Sequence, residues 1–199
     1  GLIDIHTHGA NQTDFNHASP EDGLKVAEFN ASQGVTTFLP AILSDSVETK
    51  SEKLAAVAKA KLDLGCDSVE GIHLEGPFLS VTYKGAMPEQ VLKKPDYELF
   101  CKFQEAARGL IKVITLSPEL EGASELIKKL TADGVRVSIG HSAASYEEAM
   151  NAIACGAASA THTMNAMKLL HMHDPAILTA VLESDIYAEM ICDGFHLHP

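Results

Sequence analysis

"GLIDIHTHGA" (residues 1–10) joins an apolar, β-branched segment to two histidines that are separated by one residue. The run Leu2–Ile5 predicts a short buried strand, because β-branched and apolar side chains favour buried strands. Side chains alternate between the two faces of a strand, so His6 and His8 are expected to point the same way. Two imidazoles on one face, followed by Gly9, indicate half of a metal site or, alternatively, two partly exposed histidines at a strand end.

The same arrangement, an apolar strand followed by polar residues, recurs along the chain. Strands are predicted at residues 2–5, 35–40, 69–76, 112–119, 136–142, 158–167 and 186–196. Between them, helical stretches are predicted at residues 20–33, 46–63, 96–108, 123–133, 146–155 and 175–184. A loop of about twenty residues follows the third strand, and a connection of that length is typical of a functional loop.

Seven strands that alternate with six helices predict an α/β protein with a parallel sheet. Doubly wound sheets and (β/α)8 barrels both satisfy this alternation. A barrel gathers the carboxyl ends of its strands around one mouth, where active sites lie. Polar side chains that can bind a metal or transfer a proton fall at such ends, namely His6, His8, Glu75, His141, His162 and Asp193. We therefore predict a TIM-type (β/α)8 barrel with seven of its eight strands present, a single incomplete domain over residues 1–199.

Composition restricts the partners. The chain has 199 residues, of which 46% are hydrophobic and 21% charged, which is enough apolar material for a substantial core. A net charge of −12 argues against nucleic acid or an anionic membrane surface as a partner. No apolar run is long enough to span a bilayer. Four cysteines lie far apart without a CxxC pair, which predicts a reducing, cytoplasmic compartment; they are Cys66, Cys101, Cys155 and Cys192.

Imidazole and carboxylate groups at these strand ends are the ligand types that suit zinc and other divalent first-row metals. Taken alone, His141 could be a core histidine, and Glu75 could pair with a lysine. Several such residues at equivalent strand ends indicate a metal site formed by His6, His8, Glu75, His141 and His162. His73 is expected deeper in the barrel, as a satisfied core histidine or as a residue that orients a ligand, and Asp4 is expected to orient a histidine.

A set of motifs in fixed order carries a resemblance. They are "HLEGPF" (73–78), "KGAMP" (84–88), "GHS" (140–142), "THTMNAM" (161–167) and "DGFH" (193–196). With these motifs, over almost its full length, the chain resembles the N-acetylglucosamine-6-phosphate deacetylase family of the amidohydrolase superfamily. The resemblance implies that Glu75, His141 and His162 bind the catalytic divalent metal, with zinc expected. It also implies that His6 and His8 can hold a second ion, so that one or two ions are expected.

The resemblance further implies metal-dependent hydrolysis of the N-acetyl group of N-acetylglucosamine 6-phosphate, which gives glucosamine 6-phosphate and acetate. The implied substrate-binding residues are Ala86, Met87, Asn165, Ala166, His173, Asp193, Gly194, Phe195 and His196. In the family, the aspartate that acts as general acid and base follows the eighth strand, so it is expected beyond Pro199. The resemblance also implies flanking segments at both ends that residues 1–199 lack. The 199 residues alone are therefore expected to be inactive, and the complete protein is expected to be a homodimer.

Two departures from the family pattern keep alternatives open. Met87 stands where the family usually has a histidine that helps to polarise the carbonyl, and methionine cannot donate a hydrogen bond. His173 stands where an arginine commonly reaches the phosphate, and histidine is shorter and only partly charged at neutral pH. The alternatives are an amidohydrolase that acts on a different N-acylated amino sugar phosphate, one that acts on another amide, urea or ring, and a non-catalytic protein that binds metal or sugar phosphate.

Overall fold

A computed structural model describes residues 1–198. Its strands are β1 Leu2–Thr7, β2 Gly9–Ala10, β3 Thr13–Asp14, β4 Val35–Ile42, β5 Ile72–Glu75, β6 Ile111–Leu116, β7 Arg136–Ile139, β8 Ala157–Ala160 and β9 Tyr187–Ala188. Its helices are α1 Pro20–Ser32, α2 Val47–Leu62, α3 Tyr97–Ala106, α4 Ala123–Ala132, α5 Tyr146–Ala154 and α6 Ala176–Glu183, with a short 3-10 helix at Glu89–Val91. Within this part of the chain, the helix bounds agree with the predicted ones to within two residues.

The larger sheet is parallel and has the strand order β1-β4-β5-β6-β7-β8-β9, which is the order of the chain. The predicted α/β fold with a parallel sheet of seven strands is therefore confirmed. The chain divides into two compact units. The first unit contains residues 1–75 and 98–113, and the second contains residues 76–97 and the chain from Ile114 onward, so that β6 contributes to both.

In the first unit, β4 pairs with β1 on one side and with β5 on the other. The last five residues of β4 are all buried, as expected for a parallel strand that is covered on both faces. The centre of this core consists of fully buried side chains, including Phe38, Ile42, Leu54, Ile72, Leu74, Phe100 and Phe103. The prediction that β1 is buried is wrong, because β1 is an edge strand and Leu2 and Ile3 are 67% and 66% exposed.

A small hairpin that the sequence did not reveal follows His8. Strands β2 and β3 pair antiparallel through Asn11 and Gln12, which both have positive φ. Positive φ at both central residues is typical of the tight turns that form two-residue hairpin loops. The backbone N–H of Phe15 donates to the carbonyl of His8 at 2.8 Å, so the hairpin folds back onto the chain directly after this histidine.

In the second unit, β8 lies between β7 and β9, and α5 packs against α6. Three predicted strands are too long here, and the one predicted at 136–142 ends at Ile139. The strand predicted at 158–167 ends at Ala160, because the following segment is a turn in which His162 and Met164 adopt positive φ. The strand predicted at 186–196 covers only Tyr187–Ala188. No helix among residues 1–198 is both long enough and apolar enough to cross a membrane.

Candidate functional site

In the first unit, β1 and β5 bring together His6, His8 and Glu75. The Oε2 atom of Glu75 lies 3.5 Å from Nε2 of His6 and 3.3 Å from Nε2 of His8. The two Nε2 atoms are 3.2 Å apart. The Glu75 side chain is 3% exposed, that of His6 14% and that of His8 43%, so the cluster opens toward solvent at His8.

The hydrogen bonding of His8 fixes which ring nitrogen faces this cluster. Its Nδ1 lies 3.2 Å from the carbonyl oxygen of Ala41, and a carbonyl can only accept, so Nδ1 carries the proton. In the neutral ring, Nε2 then presents a lone pair toward the Glu75 carboxylate and toward Nε2 of His6. These groups repel one another unless a proton or a cation lies between them. Burial lowers the pKa of His8, but the hydrogen bond and charge of Glu75 outweigh this effect and raise it overall.

Buried polar groups of the same unit surround the cluster. His73 is fully buried, donates from Nδ1 to the carbonyl of Ile5 at 3.0 Å, and places its ring 4.3 Å from that of His6. The burial and the hydrogen bond of His73 are those predicted for a core histidine, and the contact with His6 keeps the alternative role of orienting a ligand open. Burial is the main cause that lowers the pKa of His73 to about 3, and the neighbouring His6 contributes to this shift. Asp4 accepts from the backbone N–H of His6 at 3.0 Å, so it holds the main chain of this histidine.

The neutral state of His73 predicts a pH dependence of stability. Below about pH 6.5 the unfolded chain protonates this ring while the folded chain does not, so the free energy of unfolding should fall as the pH falls from about 6.5 toward about 3. The loss should reach about 2 kcal/mol at pH 5. Urea denaturation of metal-free protein at pH 7 and pH 5 measures it, with His73→Gln as the comparison. Equal pH dependence of the wild type and the variant would contradict this expectation.

In the second unit, His141 and His162 form a second convergent pair, with their Nε2 atoms 3.1 Å apart. The Nδ1 atom of His141 lies 2.9 Å from the carbonyl oxygen of Tyr83, and that of His162 lies 3.1 Å from the carbonyl oxygen of Asn165. Both Nδ1 atoms therefore carry the proton in the neutral ring. A backbone carbonyl on the far nitrogen is the usual arrangement of histidines that ligate metals, because it fixes the tautomer and the ring orientation.

Both histidines occupy unusual backbone conformations, with φ of 49° for His141 and 31° for His162. Side chains with a Cβ rarely adopt this region, and such strain is concentrated at functional sites. The loop at residues 76–96 packs closely on His141, since a Cβ at Gly85, whose φ is 59°, would lie 3.3 Å from the ring carbon Cε1. Glycine therefore permits the approach that brings the Tyr83 carbonyl to the ring.

The segment after His141 is held by Glu119. Its carboxylate accepts from the Ser142 hydroxyl at 2.8 Å and from the backbone N–H of Ala143 at 2.6 Å. The backbone N–H of Ser142 in turn donates to the carbonyl of Ala166 at 3.1 Å. Glu119 thus fixes a loop that joins a predicted metal ligand to a predicted substrate residue within the same unit.

The predicted substrate residues of the second unit differ in exposure. Ala86 is exposed, whereas Met87 is only 3% exposed and its carbonyl accepts from the Lys84 ammonium at 3.1 Å. The Nδ2 atom of Asn165 is buried and donates to no acceptor within residues 1–198. A buried amide donor without a partner is costly unless a ligand or water accepts from it, so Asn165 is a candidate for binding a ligand oxygen.

The remaining predicted substrate residues lie on exposed segments. His173 and the run 193–196 are all exposed. Asp193 accepts from the backbone N–H groups of Phe195 and His196 and from Nδ1 of His196 at 2.7 Å. The backbone N–H of His196 is the main cause that lowers the pKa of Asp193 to about 2. Both oxygens of Asp193 are therefore engaged in the turn, in which His196 carries its proton on Nδ1.

Some residues around these clusters escaped the sequence analysis. Ser44 and Lys50 both donate to the carbonyl of Glu75, at 3.2 Å and 3.0 Å. Lys50 belongs to α2 and is fully buried, and burial lowers the pKa of its ammonium to about 7. The sequence around Lys50 resembles an ordinary amphipathic helix, so only the three-dimensional structure identifies this lysine.

Comparison with known proteins identifies the family of the chain. Residues 1–199 match the amidohydrolase family over the whole chain. The protein therefore belongs to the amidohydrolase family. It is 36% identical over 202 residues to the N-acetylglucosamine-6-phosphate deacetylase of Vibrio furnissii, covering 100% of this chain and 50% of that protein. It is 34% identical over 201 residues to the N-acetylgalactosamine-6-phosphate deacetylase of Shewanella sp. (strain ANA-3), again covering 100% of this chain and 50% of the relative.

A solved structure is similar as well. It is an aspartate-to-alanine variant of N-acetyl-D-glucosamine-6-phosphate deacetylase from Mycobacterium smegmatis in complex with N-acetyl-D-glucosamine-6-phosphate. The match has a TM-score of 0.93 at 30% identity and covers 99% of this chain and 51% of that one. The chain thus spans about half the length of the relatives that it matches.

Proposed function

We propose that the complete protein is a metal-dependent deacetylase that hydrolyses N-acetylglucosamine 6-phosphate to glucosamine 6-phosphate and acetate. The observation that carries this proposal is the convergence of Nε2 atoms in the pairs His6–His8 and His141–His162. In three of these histidines a backbone carbonyl holds the opposite nitrogen. The similarity to sugar-phosphate deacetylases supplies the substrate class.

The donor sets fit a divalent metal. Imidazole nitrogens and a carboxylate suit zinc, which we propose as the native ion. Glu75, His141 and His162 would hold the catalytic ion, as the family resemblance implies, and His6 and His8 would hold a second one. A bound divalent ion would supply a nucleophilic water at neutral pH and would polarise the amide carbonyl.

The residues of this chain would bind and orient the substrate. Asn165 and Ala166 would contact the phosphate, and the unpartnered Nδ2 of Asn165 supports this role. His196, oriented through Nδ1 by Asp193, would contact the sugar. The family resemblance assigns proton transfer, from the attacking water and to the departing amine, to an aspartate after an eighth strand, beyond Pro199.

The wider setting follows from the same resemblance. We propose that the seven parallel strands belong to a (β/α)8 barrel and that residues 1–199 form part of this single domain. The free thiols Cys66, Cys101, Cys155 and Cys192 support a cytoplasmic location. A net charge of −12 supports a small-molecule partner rather than nucleic acid or an anionic membrane. The homodimer stays a prediction.

The proposal predicts that the complete protein releases acetate from N-acetylglucosamine 6-phosphate, that a chelator abolishes this release, and that zinc restores it. The reason is that a bound divalent ion would supply the nucleophilic water and would polarise the amide carbonyl. Acetate is measured together with metal content. If the protein bound the ion and the sugar phosphate but released no acetate, a non-catalytic binding protein would be the correct description.

A second substrate is favoured by the Shewanella relative, which is named as an N-acetylgalactosamine-6-phosphate deacetylase. Met87 and His173 depart from the family pattern, which also allows a different N-acylated amino sugar phosphate. The two sugar phosphates differ only in the configuration at one hydroxyl. Comparison of kcat/KM for the two substrates under the same conditions identifies the preferred one.

A further inference from the structure

Lys50 occupies a place that stability alone does not explain. Its side chain is fully buried beneath the end of β5, and its Nζ atom lies 5.7 Å from the centroid of the Phe103 ring. Removing an ammonium group from water is costly. The position within α2 adds to this cost, because Lys50 lies in the first turns of a helix, where the positive end of the helix dipole disfavours a cation.

One hydrogen bond of Lys50 is with the backbone of a predicted metal ligand. Its Nζ donates to the carbonyl oxygen of Glu75 at 3.0 Å, and the Ser44 hydroxyl donates to the same oxygen at 3.2 Å. Glu75 is the last residue of β5, and Gly76 continues with a φ of 71°. The regular strand therefore stops at Glu75, and two side chains from outside the strand bind the carbonyl there.

We propose that Lys50, assisted by Ser44, is a positioning residue that fixes the main chain of Glu75 so that the Glu75 carboxylate is held in the geometry of a metal ligand. The inference rests on the proposed role of Glu75 as a ligand. Rotation of the peptide plane at the end of a strand would move the side chain attached there. The two hydrogen bonds to the Glu75 carbonyl restrain that rotation and so restrain the position of the carboxylate. Outer partners of this kind typically contribute 10- to 100-fold to metal affinity.

The alternative is that Lys50 only fills the core and satisfies a carbonyl. In that case Lys50→Met should be harmless or favourable, because methionine has a similar length, carries no charge to bury, and leaves Ser44 on the carbonyl. The proposal therefore predicts weaker metal binding in Lys50→Met, whereas the alternative predicts unchanged metal binding, and both predict little effect on folding.

The experiment uses the complete protein loaded with Co²⁺, whose visible absorption reports ligand geometry, and a competing chelator to measure affinity. For Lys50→Met we expect a 10- to 100-fold loss of Co²⁺ affinity and altered absorption bands, while the melting temperature of the metal-free protein stays within about 4 °C of the wild type. Ser44→Ala should weaken Co²⁺ binding in the same direction by a smaller factor.

The control is Lys53→Met, in the same helix. The Nζ atom of Lys53 lies 3.3 Å from Oδ2 of Asp45. Lys53→Met is expected to leave the Co²⁺ affinity unchanged. Wild-type affinity and wild-type absorption in Lys50→Met would overturn the inference, provided that Glu75→Gln weakens binding. If Glu75→Gln also bound Co²⁺ like the wild type, the proposed metal site would fail and the positioning role of Lys50 would fail with it.

Discussion

Replacing Glu75 with glutamine in the complete protein should reduce acetate release from N-acetylglucosamine 6-phosphate by roughly 10³-fold or more. A bound metal contributes several kcal/mol to transition-state stabilisation, and each 1.36 kcal/mol corresponds to a tenfold change in rate. Glutamine keeps the shape of the side chain and the backbone contacts with Ser44 and Lys50, so that the loss is expected to come from the carboxylate itself.

The measurement is steady-state acetate release together with the metal content of each protein. Glu70→Gln is the matched control, because it makes the same chemical change at an exposed position just before β5. His162→Asn should reduce acetate release about as much as Glu75→Gln does. His8→Asn should reduce acetate release less if His8 binds only a second ion. Turnover near the wild-type rate in Glu75→Gln, at normal metal content, would exclude Glu75 from the catalytic set.

The sequence predicted the order and type of the main elements well, because strands and helices here have strong local patterns. Helix α2 illustrates this: Ser46 caps its start, and alanine and lysine dominate its length. The strand predicted at 158–167 shows where local patterns fail. Thr161 and Thr163 favour strand structure, yet His162 takes a positive φ so that its Nδ1 can donate to the Asn165 carbonyl. A tertiary demand on one side chain overrides the local preference.

The sequence indicates the candidate ligands of the site but not the residues that support them. The histidines and Glu75 stand out because polar residues interrupt apolar strands at equivalent positions. Lys50 and Lys53 both lie in a helical run of mixed charge, and nothing in that run distinguishes them. Only the fold shows that one is buried against the Glu75 carbonyl while the other pairs with Asp45. Residues that act through backbone contacts leave no local signal.

Asn165 carries the second large effect. If its buried Nδ2 donates to the substrate phosphate, Asn165→Ala should lower kcat/KM for N-acetylglucosamine 6-phosphate by about 10- to 150-fold, because a hydrogen bond to a charged group contributes about 1.5–3 kcal/mol. Asn165→Asp should lower kcat/KM further, since it replaces the donor by an anion that repels the phosphate.

The decisive comparison is with N-acetylglucosamine, which lacks the phosphate. Both Asn165 variants should lose much less on this sugar than on the phosphorylated one, because the interaction that they remove is absent from it. Asn151→Asp controls for the added charge, as Asn151 is exposed and donates to the Ser124 hydroxyl at 2.8 Å. Equal losses on both sugars would place the Asn165 amide against another part of the substrate and would remove it from the phosphate site.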